Sequence, residues 1–166
     1  MYTSSIPIDT IIDTLADFIH PFTPNCEIIR GDQNRTSMPE SDFVELTEIL
    51  QADIDKPYSE YDASTADIKG GKRIDIQVDI YSPNACNYIT ALEAAFRTPY
   101  ACSKFPANIQ PLYTSEPMRS PLISGEQQYV TRWLFTVSLQ FNPVVTVPQE
   151  TADTLSTNIN TPVDLT

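Results

Sequence analysis

Arg73-Ile74-Asp75-Ile76-Gln77-Val78-Asp79-Ile80-Tyr81 alternates apolar and polar residues without a break. Successive side chains on a strand point to opposite faces, so this stretch is a half-buried strand. Ile74, Ile76, Val78 and Ile80 face a core; Arg73, Asp75, Gln77 and Asp79 face away. Two flanking stretches repeat the pattern. In residues 44–54, Val44, Leu46, Leu50, Ala52 and Ile54 share one face, and Glu45, Thr47, Gln51 and Asp53 the other. In residues 128–141, Tyr129, Thr131, Trp133, Phe135, Val137, Leu139 and Phe141 share a face against Arg132, Thr136, Ser138 and Gln140.

Around these strands the period changes. Ile8, Ile11, Ile12, Leu15, Phe18 and Ile19 recur at helical spacing over residues 7–20, with Ser5 as the expected cap and Pro21 and Pro24 as the stop. A second helix is expected from Ser82-Pro83-Asn84 to about Arg97, ended by Pro99. Residues 26–30 and 107–110 read as short extended pieces. Residues 55–64 read as a polar connection, Gly70-Gly71 as a bulge or hairpin after a strand at 66–68, and residues 111–125 as a Pro-rich loop. The fold class is therefore α+β: a two-layer sandwich of a twisted, mainly antiparallel sheet of four to five strands packed with two helices. One domain is expected over residues 1–148, followed by a C-terminal arm, 149–166, without basic residues.

Composition narrows the chemistry. The 166 residues carry a net charge of −12, with 14 Pro and only 4 Gly. Such acidity argues against tight phosphate binding, which depends on Lys and Arg releasing counterions; solubility explains it equally well. The N-terminus lacks a signal peptide's basic and apolar segments, and no apolar run is long enough to span a bilayer, so a cytoplasm-like compartment and no membrane are expected. Cys26, Cys86 and Cys102 lack metal-ligand or redox spacing and read as reduced thiols. The single histidine, His20, falls at a helix end, and no glycine-rich phosphate loop or zinc motif occurs. No catalytic residue, cofactor or metal ligand is assigned, and no enzyme is expected. The acidic residues from Glu40 to Asp62 read as a solvated face.

Two polar runs are denser in hydrogen-bonding side chains than ordinary loops: Arg30-Gly31-Asp32-Gln33-Asn34-Arg35-Thr36-Ser37-Met38-Pro39 and Gly125-Glu126-Gln127-Gln128-Tyr129. They read as capped turns or as subunit contact surfaces. Together with Pro111-Leu112-Tyr113 and Asn142-Pro143-Val144-Val145-Thr146-Val147-Pro148-Gln149, in this order, they resemble the phage neck terminator family, related in fold to the tail terminators of tailed bacteriophages. The resemblance implies a virion protein at the head–tail junction, assembled in the bacterial host cytoplasm. It implies a ring, commonly hexameric, that caps the head-proximal end of the tail. Its partners would be further copies of itself, the head connector or adaptor, the tail tube and possibly a sheath, with double-stranded DNA passing through the lumen without specific binding. A head-completion protein, a minor tail protein and a tail-assembly chaperone are the competing roles. Asn34, Arg35, Gly125, Glu126, Gln127, Gln128, Val144, Val145 and Val147 are the candidate contacts with neighbouring subunits or the connector. The valines form an apolar segment between Pro143 and Pro148 that a neighbour could bury. Glu45, Asp53, Asp75 and Asp79 are the candidate acidic lining of the lumen, a repulsive wall for DNA.

Overall fold

The three alternating segments form the middle of the main sheet. The computed structural model describes residues 2–31, 39–120, 122–123 and 129–149. In chain order the strands are β1 (Glu27–Arg30), β2 (Phe43–Asp53), β3 (Tyr58–Tyr61), β4 (Thr65–Lys69), β5 (Lys72–Tyr81), β6 (Ile109–Thr114), β7 (Met118–Arg119), β8 (Leu122–Ile123), β9 (Tyr129–Val130), β10 (Arg132–Phe141) and β11 (Val144–Pro148). The helices are α1 (Ile8–Ile19), α2 (Ala85–Phe96) and α3 (Pro99–Lys104), with a 3-10 turn at His20–Phe22 after α1.

The main sheet has the order β1-β2-β5-β10-β6, with β7 also paired to β10. Its pairs are antiparallel except β1 with β2, which run parallel with Glu27 opposite Phe43. The fold is α+β as expected, with more strands than the four to five read from the alternation. One face carries Ile74, Ile76, Val78 and Ile80 of β5 and Phe135, Val137, Leu139 and Phe141 of β10, all at most 3% exposed. The apolar stripes of α1 (Ile11, Ile12, Leu15, Phe18, Ile19) and α2 (Ile89, Leu92, Phe96) complete this core. Each such side chain contributes about 1.5–3 kcal/mol by leaving water, so the core face is fixed by its pattern.

Several local expectations change. Ser5 does not cap α1; Pro7 occupies that position, and Ser5 bonds instead to Val144 on β11. Pro99 does not simply end a helix but starts α3, where a missing N–H costs nothing. The Pro-rich segment contains β6 and β7, with Pro111 on an edge strand, where its missing donor costs no ladder bond. In β2 the register slips between Glu48 and Leu50. Glu48 pairs with Ile76 and Leu50 with Asp75, so this bulge turns Leu50 and Ala52 onto the polar face and leaves Ile49 and Leu50 about half exposed.

A second sheet of three strands, in the order β11-β4-β3, extends the first. β2 leads into β3 through residues 54–57, β4 into β5 through Gly70 and Gly71, and β10 into β11 through Asn142 and Pro143. The order β11-β4-β3 therefore matches β10-β5-β2. Gly70-Gly71 is neither a bulge nor a hairpin, because β4 and β5 pair with different strands. The Asp55 carboxylate accepts the Gly71 N–H at 2.6 Å, and the Ile54 N–H donates to the Gly71 carbonyl at 2.9 Å, tying two of the crossings together.

Candidate assembly surfaces

The main sheet's face opposite the helices is a hydrogen-bonded network rather than a free acidic wall. Phe43, Tyr81 and Arg132 meet at one end: the two rings stack at 4.3 Å, and the guanidinium lies 5.6 Å from the Tyr81 ring centre. Arg132 donates to one oxygen of Asp79 through Nε at 2.9 Å and holds it through Nη2 at 2.8 Å, while Gln77 donates to the other oxygen at 2.7 Å. Tyr81 donates to Glu45 at 3.2 Å. Burial pushes the Tyr81 phenol up to about 12, opposed by Arg132 and reinforced by the carboxylates of Glu45 and Asp79. Toward the other end, Ser138 donates to Asp75 at 2.7 Å and Arg73 to the Tyr113 hydroxyl at 2.9 Å. Arg73 Nε also lies 3.2 Å from Asp75, within ion-pair range but without hydrogen-bond alignment.

This changes the acidic set expected from the alternation. Glu45 and Asp79 sit opposite each other, and Asp75 shares their face. Asp79, however, is 1% exposed and paired with Arg132, so it is not solvated. Asp53 does not belong with them: the β2 bulge places it opposite Lys72, to which it is ion-paired at 2.6 Å. Two residues escaped the sequence reading because their partners are distant in the chain: Arg132, which neutralises Asp79, and Asp55, which clamps Gly71.

The candidate contact residues divide. Asn34, Arg35, Gly125, Glu126, Gln127 and Gln128 lie outside the described residues. Gly31, the second residue of the first run, packs so closely that a Cβ there would lie 2.1 Å from Thr47 Oγ1, so a larger residue forces the Thr47 side chain to move. Val144, Val145 and Val147 are half-buried on β11. Their backbone is not free to add to a neighbour on both sides, because β11 already pairs with β4 in the same chain.

The two flanks of the main sheet differ. At the β1 flank, Arg30 reaches back to Asp9 and Asp13 of α1, and a cleft of about 260 Å³ runs between Ile12 and Ala16 of α1 and Ile28 of β1. Asp9, Asp13 and Glu27 are exposed there. At the opposite flank, Leu112, Tyr113 and Met118 are 41–59% exposed beside exposed Arg119. Among the described residues, no group of three or more His, Cys, Asp or Glu is placed to hold a metal ion. Among the described residues, no helix is long and apolar enough to cross a membrane. A cleft of about 430 Å³ between α1 and α3 is lined by Asp17, Phe18, Tyr100 and Lys104.

These features define a two-layer α+β domain whose distinctive surfaces are sheet edges and a strand extension, the parts with which small structural proteins meet their neighbours. The phage neck terminator protein family matches residues 9–163, nearly the whole chain, and the chain belongs to that family. It is a structural protein of the terminator type, a virion- or tail-associated component. Among solved structures, the sheath/tube terminator of an extracellular contractile injection system (PVC), in the extended state, aligns at 12% identity with a TM-score of 0.48. The alignment covers 99% of this chain and 65% of that one, so the chain spans less than two thirds of that structure's length. No curated protein matches the chain.

Proposed function

We propose that copies of this chain close into a ring, a hexamer, that caps the head-proximal end of the phage tail and joins it to the head connector, with DNA passing through its lumen. Membership of the neck terminator family supports the position. The observation that carries the ring is the unlikeness of the two flanks of one sheet, an acidic α1–β1 flank and an apolar β6–β7 flank. Unlike surfaces meet head to tail, and head-to-tail contacts generate a ring where the rotation between copies closes.

Within this reading, Asn34, Arg35, Gly125, Glu126, Gln127 and Gln128 contact the neighbouring copy or the connector, while the tail tube, with or without a sheath, lies below. The polar sheet face with Glu45, Asp75 and Asp79 faces the lumen. Its three acids stand against two guanidiniums, Arg73 and Arg132, both already engaged. It therefore presents DNA a nearly neutral wall without free cations, and counterion release has nothing to drive sticking. Quantitative mass spectrometry of purified virions tests the reading. A copy number matching a closed ring is expected; a single copy, or absence from finished particles, overturns it.

A further inference from the structure

The three-stranded extension repeats the main sheet's alternation but not its helix cover. Register places Tyr61, Ala66 and Val147 side by side, and next to them Ser59, Ile68 and Val145. Counting by twos from Ile76 and Ile74 through Gly70 leads to Ile68 and Ala66. Counting from Phe141 through buried Pro143 leads to Val145 and Val147. This apolar face thus follows the same alternation as the core face. Its reverse carries the Lys69–Glu60 ion pair and Thr146 donating to Asp67 at 2.6 Å, beside Tyr58 and Val144. α2 packs on β5, β10 and β6, and no helix makes an extended contact with β3, β4 or β11 among the described residues. Tyr61 is left 71% exposed and Ile68 37%. Ala66 between them is buried, so the uncovered part is the rim around Tyr61 and Ile68, and an apolar face left partly bare in this way suits docking.

We infer that a second copy of this chain supplies the cover: the apolar face of the extension packs on the β6–β7 flank of the next copy, around Leu112, Met118 and Arg119. This rests on the ring reading above and names its interface. Charge selects the partner surface. The extension and its base carry Asp53, Asp55, Glu60, Asp62 and Asp67 against Lys56, Lys69 and Lys72. The α1–β1 flank, with the three acids Asp9, Asp13 and Glu27 against Arg30, would repel it. The β6–β7 flank offers exposed apolar side chains beside the Arg119 cation, which meets the acidic tip at Asp62, while the exposed Glu116 there is ion-paired with Arg97 at 3.0 Å. The contact joins unlike surfaces and so repeats around a ring. It involves few side chains, well short of the roughly 1,600 Å² of a stand-alone interface, so the isolated chain stays monomeric and the contacts hold only when the ring closes.

The test is crosslinking within assembled particles. Tyr61→Cys and Met118→Cys are combined in a chain whose exposed Cys86 and Cys102 are changed to Ser, and purified particles are treated with a short bismaleimide. The expected result is a ladder of multimers of this chain, absent from either single-cysteine variant. A multimeric ring that yields no 61–118 crosslink, or a crosslink to a different virion protein, overturns the interface while leaving the ring standing. Absence of any multimer in the particle overturns the ring itself. Hydrogen exchange on the wild-type chain gives an independent readout should the variants fail to assemble. Peptides over 58–69 and 110–119 slow together between free and assembled protein; unchanged exchange in either overturns the proposal.

Discussion

Replacing Arg132 with Met is the most direct probe of the network that organises the polar sheet face. Asp79 is 1% exposed and receives two of its three short contacts from the Arg132 guanidinium; only Gln77 would remain. Removing one partner of a buried pair leaves an uncompensated charge, at a cost of about 3–5 kcal/mol. Met keeps an unbranched apolar side chain of similar length, so the loss reports the guanidinium's contacts with Asp79 and the Tyr81 ring rather than side-chain bulk. In a domain of this size each kcal/mol lowers the melting temperature by about 2–4 °C, so Arg132→Met should melt about 6–20 °C lower. Urea unfolding should show the midpoint falling with the slope unchanged. The double variant Asp79→Leu/Arg132→Met removes both charges and should return to within about 1 kcal/mol of the parent, since well-packed apolar replacements of buried pairs are commonly neutral. If Arg132→Met costs less than about 1 kcal/mol, or the double variant is no better than the single, the buried pair is not what holds this face together.

Other positions give independent checks. Gly31→Ala forces a Cβ to within 2.1 Å of Thr47 Oγ1; a loss of about 1–3 kcal/mol in chemical unfolding is expected, partly restored by Thr47→Ala. Asp55→Ala removes the acceptor for the Gly71 N–H, so amide exchange at Gly71 should accelerate while the core amides of β5 stay protected. The Tyr81 phenol should titrate near 12 by ultraviolet absorbance. Because the folded state holds that proton more tightly than the unfolded chain does, this group's stabilisation is complete below the ordinary phenol value near 10 and falls as pH rises toward 12. Charge reversal at Arg35 should block the joining of heads to tails while leaving the thermal melt unchanged; normal joining would remove Arg35 from the contact set.

The core was legible because alternation over residues 73–81 and 132–141 leaves one arrangement of inward side chains, and the isoleucine spacing of α1 supplies its cover. The β2 face was legible only as far as Glu48. A bulge adds one residue without changing composition, and nothing in Glu48-Ile49-Leu50 announces where the register slips, so Asp53 was assigned to the wrong side. Of the extension only the strand at 66–68 was legible, because Tyr58-Ser59-Glu60-Tyr61 is short and exposed and pairs only with β4, whose other neighbour comes from a distant part of the chain. The valine segment read as a surface for a neighbour is the same case: its apolar character was visible, its pairing with β4 was not. The buried acidity of Asp79 depended on Arg132, 53 positions away. Interactions of this range are set by topology, which single-strand patterning does not carry.

The central claim is a closed ring of this chain between tail and head connector, built from unlike surfaces of one sheet. A cryo-EM reconstruction of the neck in intact particles tests it most directly. The account predicts a closed ring of this chain at the head-proximal end of the tail, each copy's β3–β4–β11 extension lying on the β6–β7 flank of the next. Density for a lone copy, or a neck whose ring is built from a different protein, would contradict it.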